Sequence, residues 1–304
     1  MLAWLAQRVN GRQRPGEPPL LPGSLPFLGA AREFGTDLPA LLTAARRQHG
    51  DVFTLVVAGK RLTFVLDPLD FPEVLRRVDD LGFDEIGEDI SRQAFGNTRA
   101  SETPEVRLAT HENYAAHLKT AHLAPLSTGF GARIDPLITA LATPDFTPRS
   151  LFDMVESAVF HAGTDALFGA GVADPAALAT FRRFDAVFQL LAAGVPARLL
   201  PGVLPAQRWL AARVGALRPD ASDFVASRDA MFKRLLPAKD RPHLQLGILW
   251  AAHANTIPAA FWTLAHVLAD PAAHATLRAE VDEVLATSDG ACGRDQLRRM
   301  LRLD

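Results

Sequence analysis

The chain has 304 residues, 48% apolar and 22% charged, the make-up of a globular protein rather than a disordered one. Its net charge of −2 offers no basic footprint for nucleic acid, so a small molecule is the expected partner. A single cysteine, Cys292, excludes an internal disulfide and fits a reducing compartment.

The opening MLAWLAQRV is apolar, but Arg8 and Asn10 end the run well short of the about 20 residues that a membrane span needs. It has neither a basic start nor a small-residue cleavage site, so no signal peptide is read. A cytoplasmic protein is expected, with peripheral contact to a membrane surface through this stretch as the alternative. Residues 1–26 form an N-terminal segment and hinge. Pro15, Pro18, Pro19, Pro22 and Pro26 make its second half stiff and extended, because proline fixes φ and restrains the residue before it.

A helix is predicted over Leu38–His49, stopped by Gly50. DVFTLVVAGKRLTFVLDP then reads as a β-hairpin turning at Ala58-Gly59-Lys60. Residues 80–130 show one confident element, a helix around Glu112 to Leu123. Thr147-Pro148 reads as an N-cap and first residue of a helix that runs through Ala166 and ends at Gly169. An amphipathic run covers Ala176 to Ala192, and helices fill residues 205–235. The fold class is mainly α with a small β-sheet.

The most informative segment is HLQLGILWAAHANTIPAAFWTLAHVLADP. From Leu244 to Ala269 it carries no Asp, Glu, Lys or Arg, the pattern of a helix buried all round. Pro258 lacks the N–H that the Ala254 carbonyl would need, so the helix should bend or widen near Ala254 to Pro258. Asn255 and Thr256 stand beside that opening and can donate and accept hydrogen bonds. A Pro-kinked core helix with satisfied carbonyls explains the same residues without any site. Asp270-Pro271 caps the next helix, and a polar turn, SDGACGRD, leads to a last short helical start.

Other patterns carry less. His111, His117 and His122 are spaced six and five apart, whereas helical ligands on one face need three or four. Gly59-Lys60 is not a phosphate loop, and no nucleophile elbow or dinucleotide fingerprint occurs.

The order of segments resembles a cytochrome P-450. RPGEPPLLPGSLPFLG looks like the family's proline-rich hinge, HGDVFTLVVAGKRLTFVLDP like its first two strands, and the uncharged kinked helix like the long helix crossing the distal haem face. WAAHANTIPAAFW and FRRFDAVFQLLAAGVP are similar to the sterol 7α-hydroxylase branch, and RPGEPPL is shared with prostacyclin synthase. The resemblance makes 27–304 the N-terminal portion of one P-450-like domain, a partial P-450 fold.

The resemblance also assigns roles. Ala252-His253-Ala254-Asn255-Thr256 occupies the family's A-G-x-D/E-T motif. Thr256 and Asn255 are then the catalytic candidates, and Ala252 and Ala254 line the distal haem face. Asn255 stands where most members have a carboxylate, and an amide cannot shuttle a proton as an acid does. The implied activity is haem-thiolate oxidation of a sterol or related lipid, with an electron-donating redox partner; isomerisation is the other chemistry of this branch.

In the family an E-x-x-R segment and then an F-x-x-G-x-x-x-C-x-G loop come later in the chain than the segments matched here; the cysteine loop does not occur in these residues, so no axial cysteine is assigned. Cys292, in a polar turn, reads as an ordinary free thiol. The tryptophan and arginine that hold haem propionates are not recognisable between Arg99 and Phe130. Haem belongs to the full-length family, and these gaps speak against its retention by this chain. A haem-free product with a lipid-binding or structural role is the competing class.

Overall fold

In the computed structural model, residues 11, 13–77, 79–119, 122–141, 148–288 and 292–302 are described. Strands are few and short: β1 Leu20–Leu21, β2 Val52–Val57 and β3 Lys60–Val65. Helices make up the rest: α1 Ala31–Thr36, α2 Leu38–His49, α3 Phe71–Arg76, α4 Asp84–Ile90, α5 Pro104–His117 and α6 Ala124–Leu141. They continue with α7 Leu151–Phe168, α8 Pro175–Asp185, α9 Phe188–Ala192, α10 Val203–Gly215 and α11 Asp223–Leu235. The last four are α12 Arg241–His253, α13 Thr256–Ala269, α14 Pro271–Ala286 and α15 Arg294–Leu297. The expected class, mainly α with a small sheet, is what the chain adopts. It divides into two compact units between Glu85 and Ile86.

The first unit is built on the predicted hairpin. β2 and β3 pair antiparallel from Val52↔Val65 to Val57↔Lys60, so Lys60 belongs to the strand and the turn is Ala58-Gly59 alone. Both turn residues take positive φ, +50° and +79°, the pattern of a type I′ turn whose twist matches the strands. Thr54 and Thr63 face each other and share a 2.9 Å hydroxyl hydrogen bond. The stiff lead-in contributes β1, which joins β2 in parallel through Leu20↔Thr54 and Leu21↔Leu55. Arg61 donates to Glu17 at 2.6 Å, which ties that lead-in down and holds the Glu17 carboxyl below its ordinary range. Ala45 of α2 packs with Phe53, Leu55 and Val57 in a small core. Asp37 caps α2 by accepting from the Ala40 N–H, and Gly50 ends it as predicted.

The second unit holds the helical core. α7 opens at Leu151 with Ser150 as its cap, accepting from the Asp153 N–H, and not at Pro148; Thr147 lies outside the described residues. It ends at Gly169. The amphipathic run splits into α8 and α9, and residues 205–235 fall into α10 and α11. α5 starts at Pro104, earlier than expected, with Thr103 as cap. α6 packs along α7, α10 along α8 and α12, and α5 along α11. Phe160, Phe168, Phe184, Leu210, Val225, Leu246 and Leu249 are among the most buried residues of the resulting core. Among the described residues no helix is long and apolar enough to cross a membrane.

Ala58 is exposed, so its left-handed φ has no packing explanation, and an L-residue there costs about 1–2 kcal/mol. Ala58→Asn, which builds the Asn-Gly pair that this turn prefers, should stabilise the protein by roughly 0.5–1 kcal/mol. Thermal or urea unfolding checks it; a destabilised variant would rule out the strain.

Candidate functional site

The uncharged segment does not form one helix. α12 ends at His253 and α13 starts at Thr256, with Ala254 and Asn255 in a turn between them. The break falls where the proline demands it. Pro258 is the third residue of α13, in the first turn, where backbone N–H groups have no helical partner and a missing one costs nothing. The first bond of the new helix runs from the Ala259 N–H to the Asn255 carbonyl at 3.0 Å, and the last before the break from the Ala254 N–H to the Trp250 carbonyl at 2.9 Å.

The expectation of burial all round holds for only one half. Gln245, Leu246, Ile248, Leu249 and His253 of α12 are buried. In α13 only Ile257 is buried, and Trp262 and Leu268 are 58% and 56% exposed. The reason is neighbourhood: α12 is enclosed by α7, α10, α11 and the turn Ser91–Phe95, whereas α13 packs on α7 and α14 alone to any extent beyond its own predecessor.

A cavity of about 200 Å³ lies against the break, lined by Leu126 and Phe130 of α6, Val159, Gly163, Ala166 and Leu167 of α7, and Ala252, His253 and Thr256. Of the four residues singled out in the sequence, Ala252 and Thr256 share this cavity. Ala254 and Asn255 do not line it; Asn255 is exposed and its side chain caps nothing. Apart from His253 the rest of the lining is apolar, so Thr256 brings the one side-chain hydroxyl there.

His253 is the residue that sequence reasoning missed. It is 1% exposed, between the rings of Phe160 at 5.0 Å and Phe181 at 5.8 Å. Its Nε2 shares a 2.9 Å hydrogen bond with the Thr164 hydroxyl of α7, 89 residues away in the chain. Burial pushes its pKa down to about 4, so the ring is neutral near pH 7. Leu246, Leu249, His253 and Ile257 recur three, four and four apart, a helical stripe that could have flagged the histidine as inward.

Other side chains frame the same helix. Trp250 donates from Nε1 to Asp185 at 2.9 Å and stacks on Phe188 at 3.7 Å. Burial raises the Asp185 pKa, against that hydrogen bond. A separate cavity of about 540 Å³ is lined by His117 and His122 together with Arg133, Asp220 and Asp223, among others. His117 is engaged by the Ser227 hydroxyl at 3.0 Å, and His111 does not line this cavity. Among the described residues no three His, Cys, Asp or Glu side chains converge as metal ligands.

The His253 shift has a definite sign. Its folded pKa of about 4 lies below the ordinary 6.5, so the unfolded chain binds more protons between those values. Stability is full above pH 6.5 and falls as pH drops toward 4, by about 2–3 kcal/mol at pH 4.5. Urea unfolding at pH 7 and pH 4.5 should show that loss shrinking by the same amount in His253→Gln. Equal losses in both proteins would remove His253 as the cause.

No family model matches the chain. The mouse (Mus musculus) protein cytochrome P-450 7B1 is 31% identical over 303 residues, covering 95% of this chain and 59% of its own length. The cholesterol 7-alpha-monooxygenase of Cricetulus griseus is 31% identical over 296 residues, 90% of this chain and 58% of that protein. The human (Homo sapiens) 7-alpha-hydroxycholest-4-en-3-one 12-alpha-hydroxylase is 27% identical over 306 residues, again 90% and 58%. The chain therefore spans about three fifths of the length of these curated relatives. Among solved structures, the retinoic acid-bound cyanobacterial CYP120A1 superposes with a TM-score of 0.68 at 15% identity, over 93% of this chain and 66% of its own. Segment order, the broken uncharged helix and these relatives agree: the chain belongs to the cytochrome P-450 superfamily, alongside the sterol 7α- and 12α-hydroxylases.

Proposed function

We propose that this chain serves a haem-thiolate monooxygenase acting on a sterol or related lipid, and supplies the oxygen-side helix of that enzyme. The observation that carries the reading is the break at Ala254–Asn255, beyond which Thr256 lines a largely apolar cavity beside His253. The relatives' names, cholesterol 7-alpha-monooxygenase and 12-alpha-hydroxylase, support a sterol substrate. An electron-donating protein would be the redox partner.

Haem chemistry of this class needs a thiolate on iron, whose electron push favours O–O cleavage. The residues present do not fit that side of haem: the single cysteine, Cys292, is exposed. What the chain offers is confined to its own groups. Thr256 can hold and pass a proton at Oγ1 beside the cavity. Asn255 can donate from its amide but cannot give up a proton as an acid, so proton delivery falls to Thr256 and water.

The test starts with the transcript that encodes the chain. Beyond the Asp304 codon it should continue into E-x-x-R and a cysteine loop, and its whole product should oxidise a sterol with an electron donor. In that protein Thr256→Ala should slow product formation by about tenfold, the worth of one good hydrogen bond, and divert reductant to peroxide. Asn255→Ala should do less. Unchanged coupling in Thr256→Ala would remove Thr256 from the mechanism and favour isomerisation. A terminator with no sterol oxidation would leave a haem-free lipid-binding or structural protein.

A further inference from the structure

We propose that His253 is a positioning residue: through its hydrogen bond to Thr164, and in the space left by Gly163, it locks the end of α12 onto α7 and so fixes where Thr256 stands. The inference rests on the oxygenase reading only for why the place of Thr256 matters.

Four observations carry it. The first is position. His253 is the last residue of α12, and Ile257 is the buried residue of α13; they are 1% and 3% exposed, while Asn255 and Thr256 between them are exposed. The break is a short bridge held at two buried ends. The second is fit. A Cβ at position 163 would lie 2.7 Å from the His253 Cε1, closer than two carbons can approach, so the ring seats only because α7 carries glycine there. The third is the hydrogen bond from the next residue of α7, Thr164, at 2.9 Å to Nε2.

The fourth is that plain core filling does not account for an imidazole here. Its Nδ1 is buried without a hydrogen-bond partner among the described residues, and leaving such an atom unmade costs about 1–3 kcal/mol. Leucine or methionine would fill a site between Phe160 and Phe181 without that cost. What the imidazole adds over them is a directional bond to α7. A hydrogen bond fixes rotation and register along the helix axis, which apolar contact leaves loose. α7 also supplies Val159, Gly163, Ala166 and Leu167 to the cavity on which Thr256 lies, so the lock and the cavity wall are one helix.

The experiment uses the 304-residue chain without haem. Nitrogen-15 NMR of histidine side chains should show His253 as one neutral tautomer that does not interconvert rapidly. In Thr164→Val, which keeps shape and removes the hydroxyl, the tautomers should mix. The amides of Ala254 and Ala259, whose bonds flank the break, should then exchange with solvent at least about tenfold faster. Leu210, in the core of α10, should not change, and Thr164→Ser should restore the wild-type pattern. Wild-type tautomer and exchange in Thr164→Val would overturn the proposal. So would a uniform rise across residues 86–304, which marks packing loss alone. Should Thr164→Val not fold, the wild-type spectrum decides: a single tautomer supports the lock, and a rapidly mixing one refutes it. Neither readout involves haem or sterol, so a lock confirmed alongside unchanged coupling in Thr256→Ala would sink the oxygenase reading alone.

Discussion

A proline has no amide hydrogen, and at position 258 this dictates how the second unit is arranged around its central helices. In one continuous helix the Ala254 carbonyl would accept from residue 258; with proline there, the helix does better to stop and restart. It stops at His253 and restarts at Thr256, which places Pro258 in a first turn where no donor is required. Just beyond the break Thr256 lines the cavity shared with α6 and α7, and α13 is mostly exposed where α12 is enclosed.

The core around this break is fastened by buried and part-buried hydrogen bonds. Arg182 of α8 binds Glu156 of α7 through Nε at 2.7 Å, Trp250 of α12 binds Asp185 of α8, and Thr164 of α7 binds His253 of α12. Together they tie α7, α8 and α12 to one another at fixed points, which apolar packing alone would leave free to slide. Arg228 makes a different fastening. Its buried guanidinium lies over Tyr114 at 5.1 Å, Phe224 at 5.6 Å and Phe232 at 4.9 Å, joining α11 to α5 through ring faces. Burial pushes its pKa below the usual arginine value.

α13 presents the opposite condition. It carries no charged residue, and Trp262, Leu264 and Leu268 are exposed along it. Phe261 does turn inward to meet Phe152 of α7 at 5.4 Å, so one side of the helix is held while the other faces solvent.

How much of this could be read without coordinates depends on the range of each interaction. The Gly50 stop, the Asp270 cap, the site of the hairpin turn at Ala58-Gly59 and the disruption of the helix before Pro258 were legible within a few residues, because capping, positive φ and a missing N–H act over one turn of chain. The resemblance of the A-H-A-N-T string pointed to Thr256 in the same local way. What the sequence near it could not show is that Gly163 leaves room for its histidine, or that Thr164 binds it. Those partners are 89 residues distant in the case of Thr164, and nothing local links them. Nor could the uncharged stretch announce that half of it lies at the surface: composition sets the tendency to bury, but only the neighbours that folding supplies decide whether burial occurs. The local sequence thus determined where the helix breaks, and the tertiary structure, by bringing α7 against α12, decided what the break holds and what it faces.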